Sequence, residues 1–203
     1  MGLKFSYTLL APIYDLIVAS PTQSIRKNSL QRLHNLPQQN VLINGIGTGL
    51  DIPYLPDQHI YTATDITPAM LEKCNRRLVD VNFQIDLHTA DVMNLPFANE
   101  QFDTIIMHLI LAVVPDPQKA LTEAMRVLKP GGKIIILDKF LRSDETAFLR
   151  RLINPVMRRV ATRTDVVFEL LLKSCPQLKL IDNQAVLMRG WFRSIELEKL
   201  KQN

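Results

Sequence analysis

The chain has 203 residues, 47% of them hydrophobic and 22% charged, with a formal net charge of +4. This is an ordinary soluble globular composition, long enough for one domain with a sizeable core. The basic excess is too small to argue for nucleic acid, no uncharged apolar run reaches membrane-span length, and Cys74 and Cys175 stand far apart in no metal-like spacing.

Residues 5–19 read as a helix interrupted at Pro12. Asp15 within it, and the lack of a cleavage site after it, argue against a signal peptide and leave a membrane-surface segment open. Ser20-Pro21 supplies a cap and a first-turn proline for a helix over about 21–35. Ile25, Leu30 and Leu33 form its apolar stripe, with Arg26, Lys27 and Arg32 toward solvent. A strand at about 40–44 runs into Gly45, Gly47 and Gly49, and a short helix then starts at Asp51. A glycine turn of this kind bares the backbone to a ligand and aims helix N–H groups at it. It also fits an ordinary strand-to-helix turn.

Ile60–Thr64 is β-rich and ends at Asp65. Thr67-Pro68 opens a helix to about Val79, with Met70, Leu71, Cys74 and Leu78 inward. A third strand covers 82–89 and ends before Asp91. FDTIIMHL at 102–109 is nearly continuous and apolar, as in a parallel strand covered on both faces. Pro115-Asp116-Pro117 starts the next helix, LKPGG at 128–132 is a stop and tight turn, and KIIILD at 133–138 is a fifth strand. Residues 144–174 read as mostly helical with a break near Pro155 or Thr162, and two strands around Arg189-Gly190 close the chain as a hairpin.

Five alternations of strand and helix followed by a hairpin predict an α/β doubly wound sheet. Ligands of such sheets sit outside the carboxyl ends of the strands, where Gly45, Asp65, Asp91, His108 and Asp138 fall. Asp65 is placed either to accept ribose hydroxyls or simply to start a helix. Asp91 is placed either to accept an adenine amine or to close a turn.

GIGTG, TATDITPAMLEKC, ADVMNLPFANEQFDTIIM and VVPDPQKALTEAMRVLKPGGKIIILD, in order over residues 38–138, resemble the successive motifs of class I S-adenosylmethionine-dependent methyltransferases. PIYD near the N-terminus and VVPDP after strand four look most like the small lipid and quinone members. Those include bacterial phosphatidylethanolamine N-methyltransferases and ubiquinone/menaquinone C-methyltransferases. The resemblance implies a Rossmann-like sheet of about seven strands in the order 3-2-1-4-5-7-6. It divides the single domain into a helical cap (1–37), a cofactor core (38–138), a helical substrate-side segment (139–178) and the hairpin (179–203). It implies S-adenosylmethionine as cofactor, S-adenosylhomocysteine as product, and no metal.

Carried over residue by residue, Gly45, Ile46, Gly47, Thr48 and Gly49 would line the methionine moiety. Asp65 would hold the ribose, Ile66 and Met70 would pack on the adenine, and Asp91 with Val92 would meet its amine. His108 and Tyr14 would contact both cofactor and acceptor and are the candidate catalytic residues. For His108 a base and a positioning group both remain open; for Tyr14, acceptor positioning and a core role. His34, His59 and His88 read as surface or loop residues without function. The family's acid two positions before the first glycine is replaced by Ile43, so the anchor of the cofactor ammonium is unassigned, with Asp51 as a compensating candidate.

Arg142, Arg150, Arg151, Arg158, Arg159 and Arg163 flank an apolar stripe. They read either as a solvated basic face or as a surface for anionic lipid headgroups. ATRTD at 161–165 resembles a polar stretch of the phospholipid enzymes. The expected partner is a small-molecule or lipid acceptor, a lipid amine before a prenylated quinone, met in the cytoplasm or at the inner membrane face, with no nucleic acid. The rival of another class is a cofactor-binding module without transfer activity, which Ile43 keeps open.

Overall fold

Residues 22–79, 81–140, 166–187 and 190–201 are described in the computed structural model. Alternation along the central strands builds two cores. Val41 and Ile43 of β1 (Asn40–Asn44), Ile106 of β4 (Phe102–His108) and Ile135 of β5 (Leu128–Lys139) face one side, while Leu42, Ile105, Met107, Ile134 and Ile136 face the other. Consecutive side chains of a strand point to opposite faces, so a strand with both faces covered is apolar throughout.

Helix α1 (22–30, with a 3-10 turn at Gln31–Leu33) and α2 (Pro68–Arg76) cover the first face through Leu30, Leu33, Leu71 and Cys74. The second face is covered by α3 (Pro117–Val127) through Ala120, Leu121, Ala124 and Val127, and by α4 (Phe168–Lys173) through Phe168 and Leu171. With β2 (Ile60–Asp65), β3 (Ile85–Thr89), β6 (Leu178–Leu187) and β7 (Phe192–Lys199), the sheet has seven strands in the order β3-β2-β1-β4-β5-β7-β6. β1 to β5 pair parallel; β7 lies antiparallel between β5 and β6. The expected doubly wound sheet and terminal hairpin are therefore present.

Local differences have physical causes. Asp51 does not open a regular helix: the chain makes only a 3-10 turn at Ile52–Tyr54, with Pro53 inside it. A three-residue turn has no macrodipole to offer a ligand, so that part of the glycine-loop argument falls away. Helix α2 stops at Arg76, not Val79, which is 81% exposed. Thr67 is its N-cap by position, but its side chain makes no capping bond. The 128–132 stretch is not a separate turn. β5 already pairs Leu128 with Phe102, and a register shift between Phe102 and Thr104 absorbs the irregularity.

Arg26 and Arg32 do not point to solvent. Arg26 is 6% exposed, and Arg32 pairs with Asp182 at 2.7 Å and Glu196 at 3.2 Å on the terminal strands. His59 is buried as well, with Nε2 at 3.0 Å from the Leu33 carbonyl and Nδ1 accepting the Gln39 N–H at 3.1 Å. Among the described residues no helix is long and apolar enough to cross a membrane. Tyr14, Asp15, the arginines from 142 to 163 and the ATRTD segment lie outside the described residues.

Candidate active site

A cleft of about 440 Å³ opens at the carboxyl ends of the parallel strands. Its first wall is the glycine loop. The Thr64 carbonyl accepts the N–H groups of both Gly45 and Ile46 at 2.9 Å, which folds the loop back over β2. Gly47 then donates its N–H to Asp65 Oδ2 at 3.0 Å, while Asp65 Oδ1 accepts the Thr67 N–H at 2.8 Å. Burial pushes the Asp65 carboxyl above its ordinary pKa, and its bonds to Thr67 and Gly47 pull the other way. A carboxylate accepts about four hydrogen bonds, so capacity remains for ligand hydroxyls.

The glycines divide by task. Gly47 has φ +58°, and a Cβ on it would meet nothing within 4 Å, so its backbone faces open cleft. Gly49 has φ +84°, and its Cβ would lie 2.5 Å from Ile52 Cδ1 and 3.0 Å from Cys74 Sγ. It does not border the cleft; its lack of a side chain lets the loop pack on α2. Gly45, Ile46 and Thr48 do border it.

Across from the loop, Ile66 and Met70 bring apolar surface from the start of α2, and Asp91 and Val92 follow β3. Asp91 Oδ1 accepts the Met93 N–H at 2.9 Å, which fixes the carboxylate at the rim. The cleft thus holds two carboxylates with an apolar slot between their segments.

His108, at the end of β4, lines the cleft, but both ring nitrogens are engaged. Nδ1 lies 3.0 Å from Asp51 Oδ1 and Nε2 lies 3.1 Å from Ser29 Oγ. Asp51 Oδ1 also takes Arg26 Nη1 at 2.8 Å, and Arg26 Nε donates to Thr22 Oγ1 at 3.1 Å. Burial alone would raise the Asp51 carboxyl, but Arg26 and His108 beside it outweigh burial and hold it well below the usual carboxylate range. Hydroxyl, imidazole and carboxylate follow in the order of an acyl-transfer triad. Ser29, however, is 1% exposed and does not border the cleft, so no ester carbonyl reaches it.

Residues 42–136 match the family model described as a methyltransferase domain. The match covers just under half of the chain. The chain is 29% identical over 132 residues to a phosphatidylethanolamine N-methyltransferase of Cereibacter sphaeroides, covering 64% of each protein. It is 33% identical over 134 residues to a demethylmenaquinone methyltransferase of Renibacterium salmoninarum, covering 64% of this chain and 55% of that one. The chain thus spans less than two thirds of the length of these curated relatives. Among solved structures it resembles the cyclase SpnF, with a TM-score of 0.79 and 17% identity over 98% of this chain and 95% of that one. It also resembles a Methanococcus maripaludis protein provisionally described as an S-adenosyl-L-methionine-dependent methyltransferase. There the TM-score is 0.71, with 20% identity over 100% and 98% of the two chains. At those identities the structural likeness speaks for the fold alone.

S-Adenosylmethionine, the cofactor that the resemblance to methyltransferases implies, suits the residues of the cleft. Asp65 offers acceptors for a diol, Asp91 an acceptor for an amine, Ile66 and Met70 an apolar slot for a ring, and Gly47 bare backbone. Arg26 also borders the cleft and was missed in the sequence. The signal was present, since Thr22, Arg26, Ser29 and Leu33 recur at helical spacing on one face of α1. Ile110, Val113, Val114 and Pro115, which wall the cleft after β4, carry no chemical signature that could have singled them out.

Proposed function

We propose that the chain is an S-adenosylmethionine-dependent methyltransferase acting on an amphiphilic acceptor, with a membrane lipid amine such as phosphatidylethanolamine as the preferred class. Bound in the cleft, the cofactor supplies a methyl group already activated on a sulfonium sulfur. Asp65, Asp91 and the Gly47 backbone hold and orient its nucleoside, while the apolar wall from Ile110 to Pro115 excludes water and receives the hydrocarbon part of an acceptor.

The observation that carries the choice of acceptor is the double engagement of His108. A ring carbon must be activated by a base, and the imidazole at the cleft has no nitrogen left for that task. The neutral form of an amine brings its own lone pair and needs only alignment. His108 is accordingly read as a positioning group; for Tyr14, outside the described residues, the proposed role is acceptor positioning, with the lipid met at the membrane surface from the aqueous side. The likeness to the phosphatidylethanolamine enzyme supports this reading. The likeness to the demethylmenaquinone enzyme favours a second one, C-methylation of a prenylated quinone.

The test is transfer of radiolabelled methyl from S-adenosylmethionine into a total bacterial extract separated into lipid, quinone and water-soluble fractions. Label in the aminophospholipid fraction supports the preferred reading. Label in the quinone fraction alone replaces it with the second.

A further inference from the structure

We propose that Arg26 anchors the carboxylate of the cofactor's methionine end, and that Asp51 is the positioning residue that holds Arg26 there. The inference rests on the S-adenosylmethionine reading above and assigns the part of the site that the glycine motif leaves open.

The end of β1 has no acid to meet an ammonium group. Ile43 is 1% exposed and packs in the apolar cluster with Leu30, Leu33 and Ile52. Asn44 is fully buried; its Oδ1 takes the Thr64 hydroxyl at 3.3 Å, and its Nδ2, a donor, cannot receive a cation. The acid of this loop sits at Asp51 instead, past the last glycine, and it does not border the cleft.

What borders the cleft is its partner, Arg26. The guanidinium is clamped between Thr22 Oγ1 at 3.1 Å and Asp51 Oδ1 at 2.8 Å, and Asp51 is held from its other side by His108 at 3.0 Å. Its orientation is therefore set before any ligand arrives. The side chains of the ion pair are 7% and 3% exposed, so little water screens the pair. The cleft thus carries a fixed guanidinium on the same lining as the open backbone of Gly47. Asp51 offsets the charge of the guanidinium but does not border the cleft, so a ligand there meets the guanidinium first, and arginine suits the planar oxygen pair of a carboxylate.

The experiment is calorimetry with two nucleosides, S-adenosylhomocysteine, which has the amino-acid end, and 5′-methylthioadenosine, which lacks it. Wild-type protein is expected to prefer S-adenosylhomocysteine. Arg26→Gln is expected to weaken S-adenosylhomocysteine by about 10- to 100-fold while 5′-methylthioadenosine stays within about twofold, the loss of one charge-assisted contact. Arg26→Lys, which keeps the cation, is expected to restore part of the preference, and Asp51→Asn to lower it without abolishing it. If Arg26→Gln does not fold by circular dichroism, Arg26→Gln combined with Asp51→Asn removes both charges together and is read in its place. An unchanged preference in the folded variant, or an equal loss of both nucleosides, overturns the anchor alone. Wild-type protein that binds neither nucleoside overturns the cofactor reading and the anchor with it.

Discussion

Gly47 donates its backbone N–H to Asp65 Oδ2 at 3.0 Å, so the carboxylate that ends β2 also holds the glycine turn that follows β1. One side chain thereby shapes the loop and offers acceptors to whatever lies against it. Asp65→Ala is expected to lower affinity for S-adenosylhomocysteine by about 10- to 100-fold or more, since hydrogen bonds to a charged group contribute about 1.5–3 kcal/mol each. Because burial raises the Asp65 pKa, wild-type affinity should begin to fall at a higher pH on acidification than an exposed carboxylate would give. Calorimetry across a pH series checks both; an unchanged dissociation constant for the variant rejects the ribose assignment.

Gly47 and Gly49 share a left-handed backbone but should respond differently to a methyl group. Both pay about 1–2 kcal/mol for a side chain at positive φ. At Gly47 the new methyl enters open cleft, so Gly47→Ala is expected to fold with a modestly lower Tm and to lose cofactor binding through steric conflict. At Gly49 it meets Ile52 at 2.5 Å and Cys74 at 3.0 Å, so Gly49→Ala is expected to lose clearly more stability. Thermal unfolding with and without S-adenosylhomocysteine separates the two. Ligand-induced stabilisation should persist in whatever Gly49→Ala folds and vanish in Gly47→Ala.

Arg126 explains why the LPF and RVLKPGG segments belong together. Its guanidinium donates to the Leu95 carbonyl at 3.0 Å, the Phe97 carbonyl at 2.9 Å and Asn99 Oδ1 at 2.9 Å, while Glu123 clamps it from within α3. Glu123 Oε2 also takes the Leu95 N–H at 2.9 Å. The loop that carries Asp91 is thus pinned to α3 from behind the cleft. Arg126→Met is expected to cost about 1 kcal/mol, since the carbonyls of Leu95 and Phe97 that it leaves are only part-buried, and to speed amide exchange over residues 92–98. Exchange confined to that loop, with β1 and β4 still protected, is the diagnostic result.

The doubly covered parallel core was legible because Leu42 and Ile43, Ile105 and Ile106, and Ile135 and Ile136 are apolar on both sides of their strands, whereas the order of the strands came only with the family resemblance. Asp65 and Asp91 were legible because they stand at strand ends. The bonds of His108 were not, since Ser29 and Asp51 are 79 and 57 residues away in sequence and meet it only through the packing of α1 against the glycine loop. Arg26 was misplaced for a related reason. A charged residue on an amphipathic helix reads as solvent-facing unless its buried counter-ion is known, and that counter-ion is supplied by a different segment. Gly49 looked like its two neighbours in the motif, and only the position of Ile52 and Cys74 tells a packing glycine from a ligand-facing one.

Asp138, at the end of β5, gives the fold a pH dependence of its own. It is fully buried and accepts the Lys139 N–H at 2.7 Å and the Ala112 N–H at 3.1 Å, which hold the chain after β4 where it walls the cleft. Burial outweighs those bonds and lifts its pKa from 3.8 to about 6. Between these values the folded chain keeps the proton and the unfolded chain has lost it, so this residue's contribution to stability falls as pH rises from about 4 to about 6. The full effect is about 3 kcal/mol, constant below that window and again above it. Asp138→Asn removes the titration but sets an amide N–H₂ against one of the two backbone donors, so it should be less stable than wild type at pH 4. The difference should narrow by pH 7, where wild type carries the buried charge. Chemical denaturation of both proteins at several pH values between 4 and 7 reads this directly. Parallel stability curves for the two across that range would show that Asp138 does not titrate there.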